Sequence, residues 1–430
     1  MIPAKNKPFI DKCIVSFSHD RFPSRAQADA TSLAKARREI EQGKLGVSHL
    51  ILRACDDSID RLKFLFLIHG IPIMCYALAN ILKSSLQQIV VVGSRETEKI
   101  LQLYLEINGH NGKTIRFVEE DTNNLSILNT LSLGKSSLDL DLDEMILFQP
   151  GDLPFLYDME KTLKDEDIKN YNLILWLNSR QKMFPEIEKF PESEFVRRNY
   201  HYRGIYQDGK QCHDLKEPNI YPINLSRVEM DIIEYLHSSR KDGNIFEAGI
   251  RKAASLPTRL LRLIPNFFHH WKYFQRDLKN FRANREYKFG AHEANFHEGA
   301  SILLNTPFKT KLHDDPAFVS DVDALEDWED FEAMTHCITR SHGENGLQEI
   351  HPGGEDLLRF REKAMPELKK ILPIYADFPD YLNQIYKDME MAHVPFDAKG
   401  NYVMPGDRQN YAETACRWYQ EKCKMLQTQC

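Results

Sequence analysis

Apolar positions along this chain follow two alternating patterns. Continuous apolar runs mark strands buried on both faces: SHLILRA (48–54), QQIVVVG (87–93), the shorter TIRFVEE (114–120), EMILFQPGD (144–152) and NLILWLNS (172–179). Between them, IPIMCYALANILKSSL (71–86) places Leu78, Ile81 and Leu82 on one helical face, and NLSILNTLSLGKS (124–136) predicts a second helix. Strands alternating with helices predict an α/β fold, doubly wound around a mostly parallel sheet, with ligands beyond the carboxyl ends of the strands.

The pattern changes on either side of this core. Residues 1–46 read as a polar N-terminal extension with a helix through SLAKARREIEQGK. Residues 47–335 form the α/β domain, interrupted at about 240–290 by a basic helical insertion. The sheet is expected to resume at ASILLNTPF (300–308), and residues 336–430 form a helical C-terminal extension broken by turn clusters such as HPGGED and DAKGN.

Composition narrows the function classes. With 430 residues, two or three structural units are expected. Apolar residues make up 42% and charged ones 28%, as in ordinary globular chains, and the formal net charge of −7 argues against nucleic acid as a partner of the whole chain. No stretch reaches the roughly 18 consecutive apolar residues of a membrane span. The N-terminus lacks a secretory pattern, and the eight cysteines contain no CxxC pair. A reduced, cytoplasmic protein is the expectation.

Three features carry candidate chemistry. Asp152 ends a buried run between Gly151 and Leu-Pro-Phe. A carboxylate there faces the ligand crevice and can hold a divalent metal on a phosphate, or it can cap the next helix. Lys63, in LKFLFLIHGIPI (62–73), would point at the same crevice, though alone it also reads as a surface lysine. Asp321 and Asp323, in VSDVDALEDWEDF (319–331), share one face if extended and can complete a Mg²⁺ site; the acids that follow also suit a first helical turn.

Taken together and in order, LILRA, Lys63, FLIHGIPIMCYAL, QQIVVVG, GDLPFL and DVDALEDWEDF resemble the nucleotidyltransferase family of molybdenum-cofactor guanylyltransferase and the sugar-1-phosphate nucleotidyltransferases. The resemblance covers roughly residues 47–335 and implies a glycosyltransferase-A-like fold. It also implies Mg²⁺ (or Mn²⁺), an NTP and a phosphorylated small-molecule acceptor. Asp152 and Asp323, with Asp321, would hold the metal, and Lys63 would act in catalysis. Arg61, Lys63, Gly93, Asn129 and Gly151 would meet the nucleotide. LKEPNIYPINL (215–225) is similar to the acceptor segment, with Lys216 and Asn219 as contacts.

One departure stands out. The family's loop reads LAGGxSxRMGxxK, whereas this chain has LRACDDSIDRLK, without glycine and with Asp56 and Asp57 where amides should meet an anion. Retained activity with a diverged donor mode is the expectation. The alternatives are a glycosyltransferase of the same fold, for which the DVD would hold a sugar nucleotide, and an inactive nucleotide-binding regulator.

HEANFHE (292–298) resembles a zinc-protease motif, but histidines five apart stand roughly 140° apart on a helix and do not share a metal. His269 and His270 have no ligating partner close in sequence. The segment 251–290 holds ten Lys and Arg against Asp277 and Glu286, with eight aromatics. Arg259 and Arg262 fall on one expected helix and Lys272, Arg276 and Lys279 on the next. Phe268, Trp271 and Phe274 are left for another face, expected to pack on the sheet domain. A lid over the acceptor is favoured over contact with an anionic membrane surface.

Overall fold

The computed structural model describes residues 9–18, 63–121, 123–155, 159–179, 205–207, 211–212, 215–216, 219–239, 245–283, 291–313, 320–323, 325–371, 378–388, 393–406 and 408–427. The strand expected at 48–54, the helix expected within 32–44, the loop from Ala54 to Arg61 and residues 284–290 lie outside them. The strands are β1 Lys12–Phe17, β2 Leu67–Ile68, β3 Ile71–Pro72, β4 Gln88–Gly93, β5 Thr114–Glu119, β6 Ile146–Pro150 and β7 Leu173–Ser179. They continue with β8 Ile205–Gln207, β9 Gln211–Cys212, β10 Leu215–Lys216, β11 Tyr221–Ile223, β12 Ala291–His292 and β13 Phe308–His313. The fold is α/β with a mostly parallel sheet, a helical insertion and a helical C-terminal region.

Two compact units form. One comprises Met1–Cys13, Ser126–Gln149 and Lys161–Val319, the other Ile14–Leu125, Pro150–Glu160 and Ser320–Cys430. In the first, β7 pairs in parallel with β13, and β11 runs antiparallel to both β6 and β7, so β6, β7 and β13 share a direction. β7 is buried at six of its seven positions, as its unbroken apolar run predicts.

In the second unit the order is β1-β4-β5, with β4 and β5 parallel. The helix Ile73–Lys83 is buried from Ile73 through Leu82, not on one face alone. The reason lies far along the chain: the C-terminal helix Gly354–Ile371 packs on it and on the helix Arg95–Asn108. At the start of that C-terminal helix, a Cβ on Gly353 would stand 2.5 Å from the Ala79 Cβ, so the two backbones meet closely. Tyr104 and Phe360 extend the contact, with ring centroids 5.2 Å apart.

Two expectations about the strands need correction. Residues 12–17, counted with the polar N-terminal extension, form the buried strand β1; CIVSF is short, but its neighbours cover both faces. The sheet does not resume at Ala300: a helix runs over Glu293–Leu304 and the strand begins at Phe308. Asn305 ends that helix in the left-handed conformation (φ 53°), and the run Ile302–Leu304 is its buried last turn. A short apolar run has no period that separates helix from strand.

The basic insertion contains the helices Ile245–Ala254 and Pro257–Ala283; the second runs through Pro265, so Arg259, Arg262, Lys272, Arg276 and Lys279 share one element instead of two. Phe268 and Trp271 are exposed instead of packed, because the helix turns Leu263 and Asn266 toward its neighbour at Gly299. No helix among the described residues is long and apolar enough to cross a membrane.

Candidate active site

The second unit gathers Lys63, Asp152, Asp321 and Asp323. Asp152 is held from both sides. Ahead of it, the Gly151 amide donates to the Ser16 carbonyl at 2.8 Å. A Cβ on Gly151 would lie 2.0 Å from a Phe17 ring carbon, so only glycine lets β1 approach this closely. Behind it, Leu153 is fully buried and the Pro154 carbonyl accepts a 2.9 Å bond from His351 Nε2. Phe155 sits among Tyr76, Phe331, His351 and Tyr419. His351 accepts from the Gly353 amide at Nδ1, which leaves the proton on Nε2. Burial pushes its pKa down to about 3, keeping the ring neutral.

The early and late segments are tied together by hydrogen bonds. The Val322 amide donates to the Asp152 carbonyl at 3.1 Å, bringing the aspartates of the late motif alongside. Leu325–His342 is helical, and its buried Trp328 donates from Nε1 to the Leu67 carbonyl at 2.8 Å. Glu332 accepts the His69 amide at 2.7 Å. His69 and Gly70, with φ of 51° and 73°, make the two-residue turn between β2 and β3. This hairpin follows directly on the short 3-10 turn Lys63–Leu65. The helix of the late motif therefore anchors the segment that carries Lys63.

At the centre, Lys63 Nζ lies 2.5 Å from Asp152 Oδ2 and also bridges to Asp323 Oδ1. Lys63 and Asp152 are each 7% exposed. Burial pushes the Asp152 pKa up to about 6; Lys63 pulls it down, while Asp323 and Asp321 push it up. Its Oδ1 is buried with no hydrogen-bond partner among the described residues. One ligand atom each from Asp152, Asp321 and Asp323 lie within 4.8 Å of one another. An all-oxygen set with an unsatisfied buried carboxylate oxygen fits a hard divalent cation such as Mg²⁺ or Mn²⁺. Lys63 occupies the same focus of negative charge.

The remaining expected residues fall elsewhere. Gly93 ends β4, where a Cβ would crowd the Thr97 hydroxyl at 2.5 Å and the Phe17 carbonyl at 3.1 Å. Asn129, Lys216 and Asn219 belong to the other unit: the Asn129 amide caps onto Ser126 Oγ, Lys216 lies in β10, and the Asn219 Nδ2 is buried without a partner among the described residues. Arg61 lies outside the described residues. Sequence reasoning missed Ser16, Phe17, Trp328, Glu332 and His351 as supports of the site. Only CIVSF carried a signal, an apolar run; nothing in HPGGED marks a histidine that clamps Pro154.

The histidines of HEANFHE go to different partners. His292 stacks on Tyr273 at 3.4 Å between centroids, and His297 accepts the Thr310 amide at 2.8 Å.

No family model and no curated protein matches the chain. Similar solved structures include a hypothetical transferase from Thermus thermophilus, 14% identical, covering 74% of this chain and 99% of that one at a TM-score of 0.36. A nucleoside-diphosphate-sugar pyrophosphorylase from Vibrio cholerae is 11% identical, covering 74% and 99% at 0.35. The inositol-1-phosphate CTP transferase from T. maritima is 11% identical, covering 55% and 76% at 0.30. At TM-scores of this size the fold assignment rests on the strand pairing and the site on its own geometry.

Proposed function

We propose that the protein is a metal-dependent nucleotidyltransferase that transfers a nucleotidyl group from an NTP to a phosphorylated small-molecule acceptor. The observation that supports it most is the group of Lys63, Asp152, Asp321 and Asp323, drawn from segments far apart in sequence. In the proposed reaction an acceptor phosphate oxygen attacks the α-phosphorus of the NTP. The bond from that phosphorus to the bridging oxygen breaks, and pyrophosphate leaves.

Asp152, Asp323 and Asp321 are the residues that would hold Mg²⁺ or Mn²⁺. When bound, the cation offsets charge on the phosphate oxygens. Lys63 adds a fixed positive charge beside them, worth most where the charge of an in-line displacement grows. The Lys63 ammonium at 2.5 Å favours the ionised form of Asp152, against burial, which pushes its pKa up. The nucleotide contacts at Arg61, Gly93, Asn129 and Gly151 and the acceptor contacts at Lys216 and Asn219 carry over as proposals from the resemblance.

A screen of the four NTPs with Mg²⁺ or Mn²⁺ against phosphorylated metabolites, followed by pyrophosphate release, tests the reading. Release of a nucleoside diphosphate from a sugar nucleotide would replace it with a glycosyltransferase. NTP binding without turnover would replace it with a regulator.

A further inference from the structure

The helix Pro257–Ala283 presents an apolar strip to solvent. Leu260, Leu261, Ile264, Phe267, Phe268 and Trp271 are six of the eight exposed large hydrophobic residues among those described, and Leu261 and Phe268 are about two-thirds exposed (67% and 66%). Leu260, Ile264, Phe267 and Trp271 follow one another by four, three and four residues, which keeps them on one side of the helix. The Phe267 and Trp271 rings stack with centroids 6.5 Å apart, so the strip is continuous.

The opposite side is already committed within the same unit. Arg259 Nη1 donates to the Leu303 carbonyl at 2.7 Å, Asn266 Nδ2 donates to the Asn295 carbonyl at 2.8 Å, and Tyr273 stacks on His292. Packing onto the helix Glu293–Leu304 thus fixes which side faces outward.

Charge identifies the occupant. The helix carries six Lys and Arg against the single Asp277, in a chain whose net charge is −7. Lys272, Lys279 and Arg282 are exposed; at 100° per residue Lys272 and Lys279 lie along one flank of the strip and Arg282 at its C-terminal end. Phenylalanine, tryptophan and leucine bordered by long cationic side chains need an apolar phase and an anionic one within a side chain's length. A bilayer surface supplies both: rings enter the acyl boundary while ammonium and guanidinium groups reach back to phosphates.

We propose that the helix Pro257–Ala283 lies in the plane of an anionic membrane surface, with Phe267, Phe268 and Trp271 inserted and Lys272, Lys279 and Arg282 on the lipid phosphates. The negative remainder of the chain would be repelled from that surface, so the basic helix also sets which side of its unit faces the lipid.

The test is flotation of the full chain with vesicles of phosphatidylcholine alone or mixed with phosphatidylserine, at low and high salt. The proposal expects binding at least about tenfold tighter with phosphatidylserine and weakened by salt, from two or more basic contacts. Phe268→Glu with Trp271→Glu should abolish binding. Lys272→Glu with Lys279→Glu should weaken it about tenfold or more. Unchanged far-UV circular dichroism would show that these exposed substitutions leave the fold intact, and Leu261→Glu, also exposed, provides a second probe. Absence of wild-type binding to anionic vesicles overturns the proposal, as does equal binding by Phe268→Glu/Trp271→Glu. A wild-type dimer that dissociates in that variant, without vesicle binding, would assign the strip to a second copy and overturn it as well.

Discussion

The Lys63 ammonium stands 2.5 Å from the Asp152 carboxylate, and both side chains are almost wholly withdrawn from water. Neither residue is stable there alone, because an isolated buried charge costs more than the fold can spare. Asp323 shares the lysine, and Asp321 completes a cluster of three carboxylates around it among the described residues. Three carboxylate ligands grouped this closely suit a divalent cation.

Lys63→Met should leave Asp152 buried beside two other carboxylates. We expect a stability loss of about 3 kcal/mol in urea unfolding, the scale for breaking a buried pair. Turnover should fall about a hundredfold or more with a smaller change in nucleotide affinity. Mg²⁺ should raise the melting temperature more in this variant than in wild type, since Lys63 no longer competes for the same oxygens. Equal shifts would show that cation and lysine use different groups.

Asp152→Asn keeps the shape and removes the charge that burial opposes. The variant should fold normally by circular dichroism yet lose metal-dependent pyrophosphate release by about a hundredfold or more. Asp323→Asn should do the same. Activity retained in both would remove the carboxylates from the proposed chemistry.

Gly151→Ala places a methyl group where the Phe17 ring lies. Overpacking of this kind costs about 1–3 kcal/mol or more. The penalty should shrink in a Phe17→Ala background, which empties that space. A double-mutant cycle measures the coupling, and additive effects would mean that the clash is relieved elsewhere.

His351 is neutral in the fold, with a pKa pushed down to about 3 from the usual 6.5. Below pH 6.5 the unfolded chain takes up a proton that the folded ring refuses. Its contribution is therefore complete above 6.5 and is lost as pH falls toward 3. His351→Gln keeps a donor for the Pro154 carbonyl but does not titrate. The stability advantage of wild type over this variant should shrink by about 3 kcal/mol between pH 7 and pH 4 in urea melts. A constant gap would mean that the imidazole is not buried neutral. Asp152 and Glu332, with pKa values raised to about 6 and 7, shift stability the other way, but they are common to both proteins and cancel.

What the sequence determined by itself was local. The unbroken apolar runs of β4, β6 and β7 specified buried strands because a strand covered on both faces has no polar side to alternate. Lys63, Asp152, Asp321 and Asp323 could be picked out because each stands beside an apolar run or an acidic cluster that marks the end of an element. Only the tertiary structure decided that the four converge. Their meeting depends on Trp328 reaching the Leu67 carbonyl, Glu332 reaching the His69 amide and Val322 reaching Asp152, bonds between residues with no common period or spacing. The same holds for the insertion. Its sequence specified basic, amphipathic helical segments, but that Arg259 through Lys279 form one helix, and which side of it faces solvent, was set by the fold, with Arg259 and Asn266 bonding to the neighbouring helix. Periodicity defines the faces of an element, whereas burial is a property of what lies opposite, and that partner is chosen by the whole fold.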